Sequence, residues 1–572
     1  MTSWLVALRA MAFAVIIALV LDVPVTRPRP ARPAVFVDAS LSMARNSDAV
    51  WRAAWDSARA AATDSMWAFG DTLRPIAAGK SAQPADLASR LRPVVERTMV
   101  AGRPAIIITD GEVEDSSALD GLPSGSRVLV LPRGSAPDVA MAGIEAPRAA
   151  VSGDSLALRL RLVAGSAGAA AGTVTLFLNA HLLGTWPLDA MSAWGERQLD
   201  VRVRIAGAQG PGVLRAIVNS PGDAEPRNDT LSTALELSRA ASAVFVSTSP
   251  DQDARFALAV LRGSLSLPTR GFLRVAPGNW RLEGALTSVP ESEVRAAVRD
   301  APIVILHGDT SVFGPPRAAT AGPLALMVPP DDDDGEWYPT GVPVSPLSAA
   351  LAALPVDSLP PLSAGQPAHG DWTALEARRG REAVKRAVIV GTDAPRRTIV
   401  VSASGFWRWR FRGGAGADAY AALWGGIFDW LAAERADKRA AVPDAGGVRA
   451  GDVIRWRRGS GADSAVRVTL RRRGTAHVDT LDLHFAPGNA TAERAAPPQG
   501  VYDVEVSGGT AVLAVNAAAE LLPAQPRVRS GRVGRRPALD NARHARSMGW
   551  LYVLAVVLLC MEWLLRRRAG LR

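Results

Sequence analysis

Apolar residues follow three patterns along the 572-residue chain, and each predicts a different kind of element. The first pattern is the short uninterrupted run. Ala34-Val35-Phe36-Val37 and Ala105-Ile106-Ile107-Ile108 contain no polar residue, as strands buried on both faces of a parallel sheet require. Between them, Asp48 to Thr63 places Trp51, Trp55, Ala58 and Ala62 on one helical face, and Asp86 to Met99 does the same with Leu87, Leu91, Val94 and Val95. Ser65 to Gly70 and Arg127 to Leu131 read as further strands. Strands that alternate with helices over 33–133 predict a Rossmann-like sheet with helices on both faces.

The second pattern is strict alternation. Leu156, Leu158, Leu160 and Leu162 alternate with Ala157, Arg159 and Arg161, and similar stretches recur at Thr173 to Leu178, Leu199 to Ile205, Val213 to Asn219 and Thr230 to Leu237. Turn residues separate them, so 137–237 reads as an all-β sandwich. Alternation returns at Ala465 to Arg471, Val501 to Ser507 and Ala511 to Asn516, which predicts a small β domain over 446–522. Between these regions, 240–437 mixes strand-like runs (Ala243 to Ser247, Ile303 to His307, Val388 to Val390, Thr398 to Ser402) with helix patterns at Asp253 to Arg262, Glu291 to Arg299 and Tyr420 to Ala433. Trp407 to Arg412 alternates tryptophan or phenylalanine with arginine, as a strand edge would.

The third pattern is the long apolar segment at either end. Met548 to Leu565 carries one charge, Glu562, in eighteen residues and is followed by Arg566-Arg567-Arg568, so a transmembrane helix over 548–565 with a cytoplasmic C-terminus is predicted. Glu562 lies within a turn of those arginines and reads as snorkelling toward them. Trp4 to Leu21 is interrupted only by Arg9, and its uninterrupted part, Ala10 to Leu21, has the length of a signal-peptide core or a short anchor. No small-residue cleavage pattern follows it, which favours reading 3–22 as an uncleaved anchor with the N-terminus inside over a signal. Both termini are then cytoplasmic, and the bulk of the chain lies outside. Pro523 to Arg546 reads as a linker, 523–547.

Composition narrows the function classes. The net charge is +10, but only three lysines occur (Lys80, Lys385, Lys438), the arginines are scattered, and no nucleic-acid recognition motif is present; nucleic acid is not an expected partner. The one cysteine, Cys560, lies in the C-terminal apolar segment. No disulfide within the chain, cysteine zinc site or cysteine nucleophile of the outer region is then possible. The six histidines show no metal-ligand spacing, and Asp331-Asp332-Asp333-Asp334 lacks the spacing of a calcium loop and reads as a solvated acidic loop.

Each uniform run ends where the chain leaves the sheet: the first at Asp38-Ala39-Ser40-Leu41-Ser42, the second at Thr109-Asp110-Gly111. Ligands of open α/β sheets bind outside the carboxyl ends of strands. Asp38, Ser40, Ser42 and Asp110 are hard oxygen donors of the kind Mg²⁺ or Mn²⁺ accepts. In this order the D-x-S-x-S and T-D-G elements resemble the metal-ion-dependent adhesion site of von Willebrand factor A (VWA) domains. The resemblance implies a bound Mg²⁺ or Mn²⁺ with an open position for a partner's carboxylate. The family completes its ligand set with a threonine, commonly in T-D-L; here Ala85-Asp86-Leu87 stands in that place, which leaves water or Ser81 to supply the missing oxygen. Glu225-Pro226-Arg227-Asn228-Asp229-Thr230 resembles the last hairpin of Ig-like adhesion modules. Gly405-Phe406-Trp407-Arg408-Trp409-Arg410, with Trp424 and Trp430-Leu431, is similar to the class I glutamine amidotransferase-like region of membrane-bound bacterial VWA proteins. The set resembles aerotolerance-related (Bat-type) VWA proteins. It implies a non-enzymatic inner-membrane protein that binds envelope proteins, with a MoxR-type ATPase system among its partners. A divergent envelope hydrolase or amidotransferase, or a ligand sensor, is the alternative, although residues 240–437 contain no cysteine and no G-x-S-x-G element.

Overall fold

The two uniform runs form neighbouring strands at the centre of one sheet in the computed structural model. It describes residues 2–568 except 24–31, 63–64, 78, 206, 208, 266, 316–319, 331–334, 381–383, 434–437, 460–462, 487–488 and 537–543. The Asp331-to-Asp334 run therefore lies outside the described residues. The architecture is mixed α/β with many sheets and an apolar C-terminal helix, divided into two compact units, Met1–Gly134 with Ala524–Arg572, and Ser135–Pro523.

In the first unit the elements are α1 (Thr2–Val20), β1 (Ala34–Asp38), α2 (Ala49–Ala61), β2 (Met66–Phe69), β3 (Arg74–Ile76), α3 (Arg92–Ala101), β4 (Ala105–Thr109) and β5 (Ser126–Val130). The sheet order is β3-β2-β1-β4-β5, parallel except for β3. All five residues of β1 are buried. Phe36 packs with Leu91, Val94 and Val95 on one face; Val35 and Val37 pack with Trp51, Ala54 and Ala58 on the other. That two-sided burial is why the run has no polar alternation.

Two expectations for this unit need correction. The second helix does not start at Asp86 but at Arg92. The Asp115 carboxylate accepts the Leu91 and Arg92 amides at 2.7 and 2.8 Å and fixes the start there. Upstream, the backbone is bound to the loop after β1: Asp86 N–H donates to Ala39 O at 3.0 Å and Leu41 N–H to Asp86 O at 2.8 Å. Gly70 permits this crossing, because a Cβ there would overlap the Asp86 carboxylate. The second correction concerns 523–547, which is more than a linker. Arg527 and Val528 amides donate to Gly111 O at 2.8 and 3.3 Å, and a strand at Gly531–Val533 pairs antiparallel with β5. The otherwise open edge of β5 is covered in this way.

The C-terminal helix Gly549–Arg568 is long and apolar enough to cross a membrane, and it packs beside α1, whose apolar part Trp4–Val20 is shorter. Arg9 Nε lies 4.0 Å from Glu562 Oε1, which is also 3.2 Å from Arg566 Nε. At the other end of α1, Arg546 donates to the Leu19 and Val20 carbonyls at 3.0 and 2.7 Å, and its amide donates to Asp22 Oδ1 at 3.1 Å.

The second unit opens with two antiparallel-rich sheets, of five and three strands, built from residues 139–238. They share a core that includes Leu158, Leu160, Leu162, Val174 and Leu176. A ten-stranded mixed sheet follows. Its parallel part runs Thr269–Ala276, Ala243–Ser247, Ile303–His307, Leu324–Met327 and Thr398–Val401, with helices Gln252–Ser264, Glu291–Asp300 and Gly414–Ala432. Sheets of three and five strands occupy 441–516.

Trp407–Arg412, expected as a strand edge, is a helix. Over six residues a period of two and a period of 3.6 select overlapping positions. Here Phe406 and Trp409 are buried and their rings meet at 5.2 Å, while Trp407 meets Phe411 at 5.6 Å, both at helical spacing. The deciding group comes from elsewhere in the chain: Asp253 accepts the Gly405 amide at 2.5 Å and the Trp407 amide at 2.7 Å, satisfying donors at the helix start.

Candidate functional site

Asp38, Ser40, Ser42 and Asp110 meet at the carboxyl ends of β1 and β4, all buried. Three donors hold Asp38. Its Oδ1 accepts the Ser40 amide at 3.0 Å, and its Oδ2 accepts the hydroxyls of Ser89 and Thr109, each at 2.7 Å. The Ser40 and Ser42 hydroxyls lie 2.9 Å apart. Asp110 Oδ1 accepts the Glu112 amide at 3.0 Å. Gly111 turns the chain at φ +89°, and a Cβ there would sit 3.0 Å from Val528 O.

The remaining oxygen of Asp110 receives a guanidinium. Arg133 Nη2 donates to Asp110 Oδ2 at 2.8 Å and also to the Ser42 carbonyl. Its Nη1 donates to Glu112 Oε1 at 3.1 Å, and the same oxygen accepts Arg45 Nη2 at 2.6 Å. Two arginines are thus interleaved with two carboxylates, Asp110 and Glu112, largely out of water. Burial, then the neighbouring Asp110 charge, push Asp38 up to about 6 in spite of its hydroxyl donors. Burial and Asp110 likewise raise Glu112 to about 7, against the pull of Arg45 and Arg133.

Ala85 lies in the segment bound to the Asp38-to-Ser42 loop, its amide donating to Ala39 O at 2.9 Å. Ser81 does not supply its missing oxygen; it is exposed and lines a separate surface cavity with Trp55, Arg59 and Met66. The hydroxyl that does reach the site is Ser89, which sequence spacing did not single out. Arg133 and Arg45 were missed as well.

The α/β region of the second unit gathers another set at carboxyl strand ends. Ser247 and His307 are register partners on adjacent parallel strands, with Ser247 Oγ 2.9 Å from His307 Nδ1. His307 Nε2 lies 3.4 Å from Asp251 Oδ1, whose side chain also accepts the Ala254 amide at the start of its helix. Burial raises Asp251, but the His307 contact and helix-start amides outweigh it and hold the carboxyl below its ordinary value. Ser247 is fully buried and His307 2% exposed. Asp251 borders an open cavity of about 730 Å³ whose walls include Arg202, Arg255 and Leu258 but neither Ser247 nor His307.

No protein-family model and no curated protein matches the chain. Among solved structures it is similar, over 18% of its length, to the CARDB domain of a Pyrococcus furiosus protein solved with di-metal ions (15% identity, 96% of that chain covered, TM-score 0.17). A domain of a Methanosarcina acetivorans protein described as a cell surface protein gives 15% identity, 18% and 94% coverage, and a TM-score of 0.17. The sulfur carrier protein SoxY from Chlorobium limicola gives 16% identity, 18% and 87% coverage, and a TM-score of 0.12. Likeness at these TM-scores fixes neither fold nor function.

The residues at the β1–β4 edge do not fit the divalent ion that the VWA resemblance implies. The serine pair alone would admit one, since bonds of about 2.1 Å in an octahedron put neighbouring oxygens about 3.0 Å apart. The place beside it is taken, however. Arg133 holds both Asp110 and the Ser42 carbonyl, Ala85 offers no side-chain oxygen, and Asp38 has three hydrogen-bond donors on its two oxygens. Among the described residues, no three His, Cys, Asp or Glu side chains are grouped to hold a metal ion.

Proposed function

We propose that this chain is a membrane-anchored protein of the bacterial envelope that works by binding other proteins, with a VWA-type domain at its membrane-proximal end. The observation that carries this is the convergence of Asp38, Ser40, Ser42 and Asp110 at one carboxyl edge of a parallel sheet, in a unit that also contains the C-terminal apolar helix. On this reading the protein sits in the inner membrane with both termini cytoplasmic. Its partners are envelope proteins of the kind associated with Bat-type relatives and MoxR-type ATPases, and it turns over no substrate. Co-purification from detergent-solubilised membranes tests this. The same partner should be recovered repeatedly with the wild type and lost with Ala85→Arg, which places bulk at an exposed position beside the Asp38-to-Ser42 loop. Equal recovery with both would overturn the assignment of this edge.

A second reading, hydrolysis, rests on Ser247, His307 and Asp251, which follow the order of a nucleophile, a base and an orienting carboxylate. Labelling by a fluorophosphonate that disappears in Ser247→Ala would favour it. Absence of labelling in the folded protein, as the full burial of Ser247 leads us to expect, would remove it.

A further inference from the structure

We propose that Arg133 permanently holds the place of the divalent ion, so that this edge works without metal. The inference rests on the VWA-type reading of the site but not on the identity of any partner. Three observations carry it. First, the guanidinium donates to Asp110 Oδ2 at 2.8 Å and to the Ser42 carbonyl, so it touches one residue from each of the two motifs that the ion would bridge. Second, the positive charge is built in: the Arg133 side chain is 13% exposed and Asp110 1% exposed, with Arg45 and Glu112 completing the cluster behind them. Third, the position that would complete a metal's ligand set carries Ala85, which donates only its backbone amide, to Ala39 O.

Chemically the exchange is direct. A divalent ion offers two charges and directional bonds to hard oxygens; a guanidinium offers one charge and a planar fork that bonds a carboxylate and a carbonyl together. The arginine therefore keeps the β1 and β4 loops joined and their charge balanced, as the ion would. It cannot exchange with solvent, and it leaves no open coordination position. A partner at this edge is held by hydrogen bonds and shape, and its binding does not respond to chelators. Mg²⁺ entering beside Arg133 would meet a like charge in a site already closed to water.

Mn²⁺ is the probe, read by its electron paramagnetic resonance signal on the full chain in detergent. The wild type should leave Mn²⁺ free at millimolar concentration. Arg133→Met, which keeps bulk and removes charge, should raise Mn²⁺ affinity at least about tenfold, and Ser40→Ala added to it should abolish the gain. Arg133→Lys should stay metal-free, because a cation still faces Asp110; Arg133→Gln, also neutral, should show the same gain and covers the case in which Arg133→Met does not fold. Wild-type Mn²⁺ binding that Ser40→Ala removes would overturn the proposal, as would unchanged affinity in a folded Arg133→Met. None of these readouts involves a partner, so a failure here is distinct from failure of the protein-binding reading.

Discussion

Asp253 shows how one side chain can govern a local structure and its response to pH. Its carboxylate ties the Gly405 and Trp407 amides, and burial raises it to about 6 from an ordinary 3.8 even though those amides pull the other way. The folded state therefore holds its proton more tightly than the unfolded chain. The associated stability is fully present below 3.8 and is lost as pH rises through 6. Asp253→Asn, which cannot ionise, should gain on the wild type by up to about 3 kcal/mol as pH rises across that window, measured by hydrogen exchange at the Trp407 amide. A stability gap independent of pH would show that the carboxyl titrates normally. Residues of this kind were the least legible in the sequence. Asp38, Ser40, Ser42 and Asp110 announce themselves by spacing within short motifs, and all four converge. Arg133 lies 91 residues from Ser42, and nothing near it in the chain marks its destination. The Ser247–His307 contact likewise depends on strand register, which exists only once the sheet has formed.

Elements were legible where burial imposes a simple period. The runs before Asp38 and Asp110 became strands because both faces are covered, and α2 follows its tryptophan and alanine stripe closely. Legibility failed where a distant group decides the boundary, as Asp115 does for α3 and Asp253 for the helix at Trp407. It failed again at the strand Gly531–Val533, whose arginine- and proline-rich surroundings hide a pairing partner. Val528 in that segment is 6% exposed and joins the core of Phe36, Val94 and Ile107. Val528→Ala should cost about 1–2 kcal/mol and speed exchange of β5 amides. If β5 exchanges at the wild-type rate, the returning segment contributes nothing to the sheet.

At the scale of the whole molecule, the ends of the chain are tied together. Arg546 engages the last carbonyls of α1, and Arg9 approaches Glu562 four residues before Arg566 on the other helix. If the helix pair spans the membrane as proposed, both of its outer ends face the cytoplasm. With Cys560 replaced by serine, a cysteine at exposed Ser192 should react with an impermeant maleimide in spheroplasts, whereas one at Arg568 should react only after lysis. The reverse pattern would invert the topology. The pairing of Gly531–Val533 with β5 also sets an order of events during synthesis. Ser530, whose hydroxyl accepts the Val130 amide, leaves the ribosome 400 residues after its partner, roughly 20–80 s later at ordinary translation rates. Throughout that interval β5 is paired with β4 on one side only, and a nascent chain stalled anywhere in the second unit carries an unfinished sheet edge that other chains and proteases can reach.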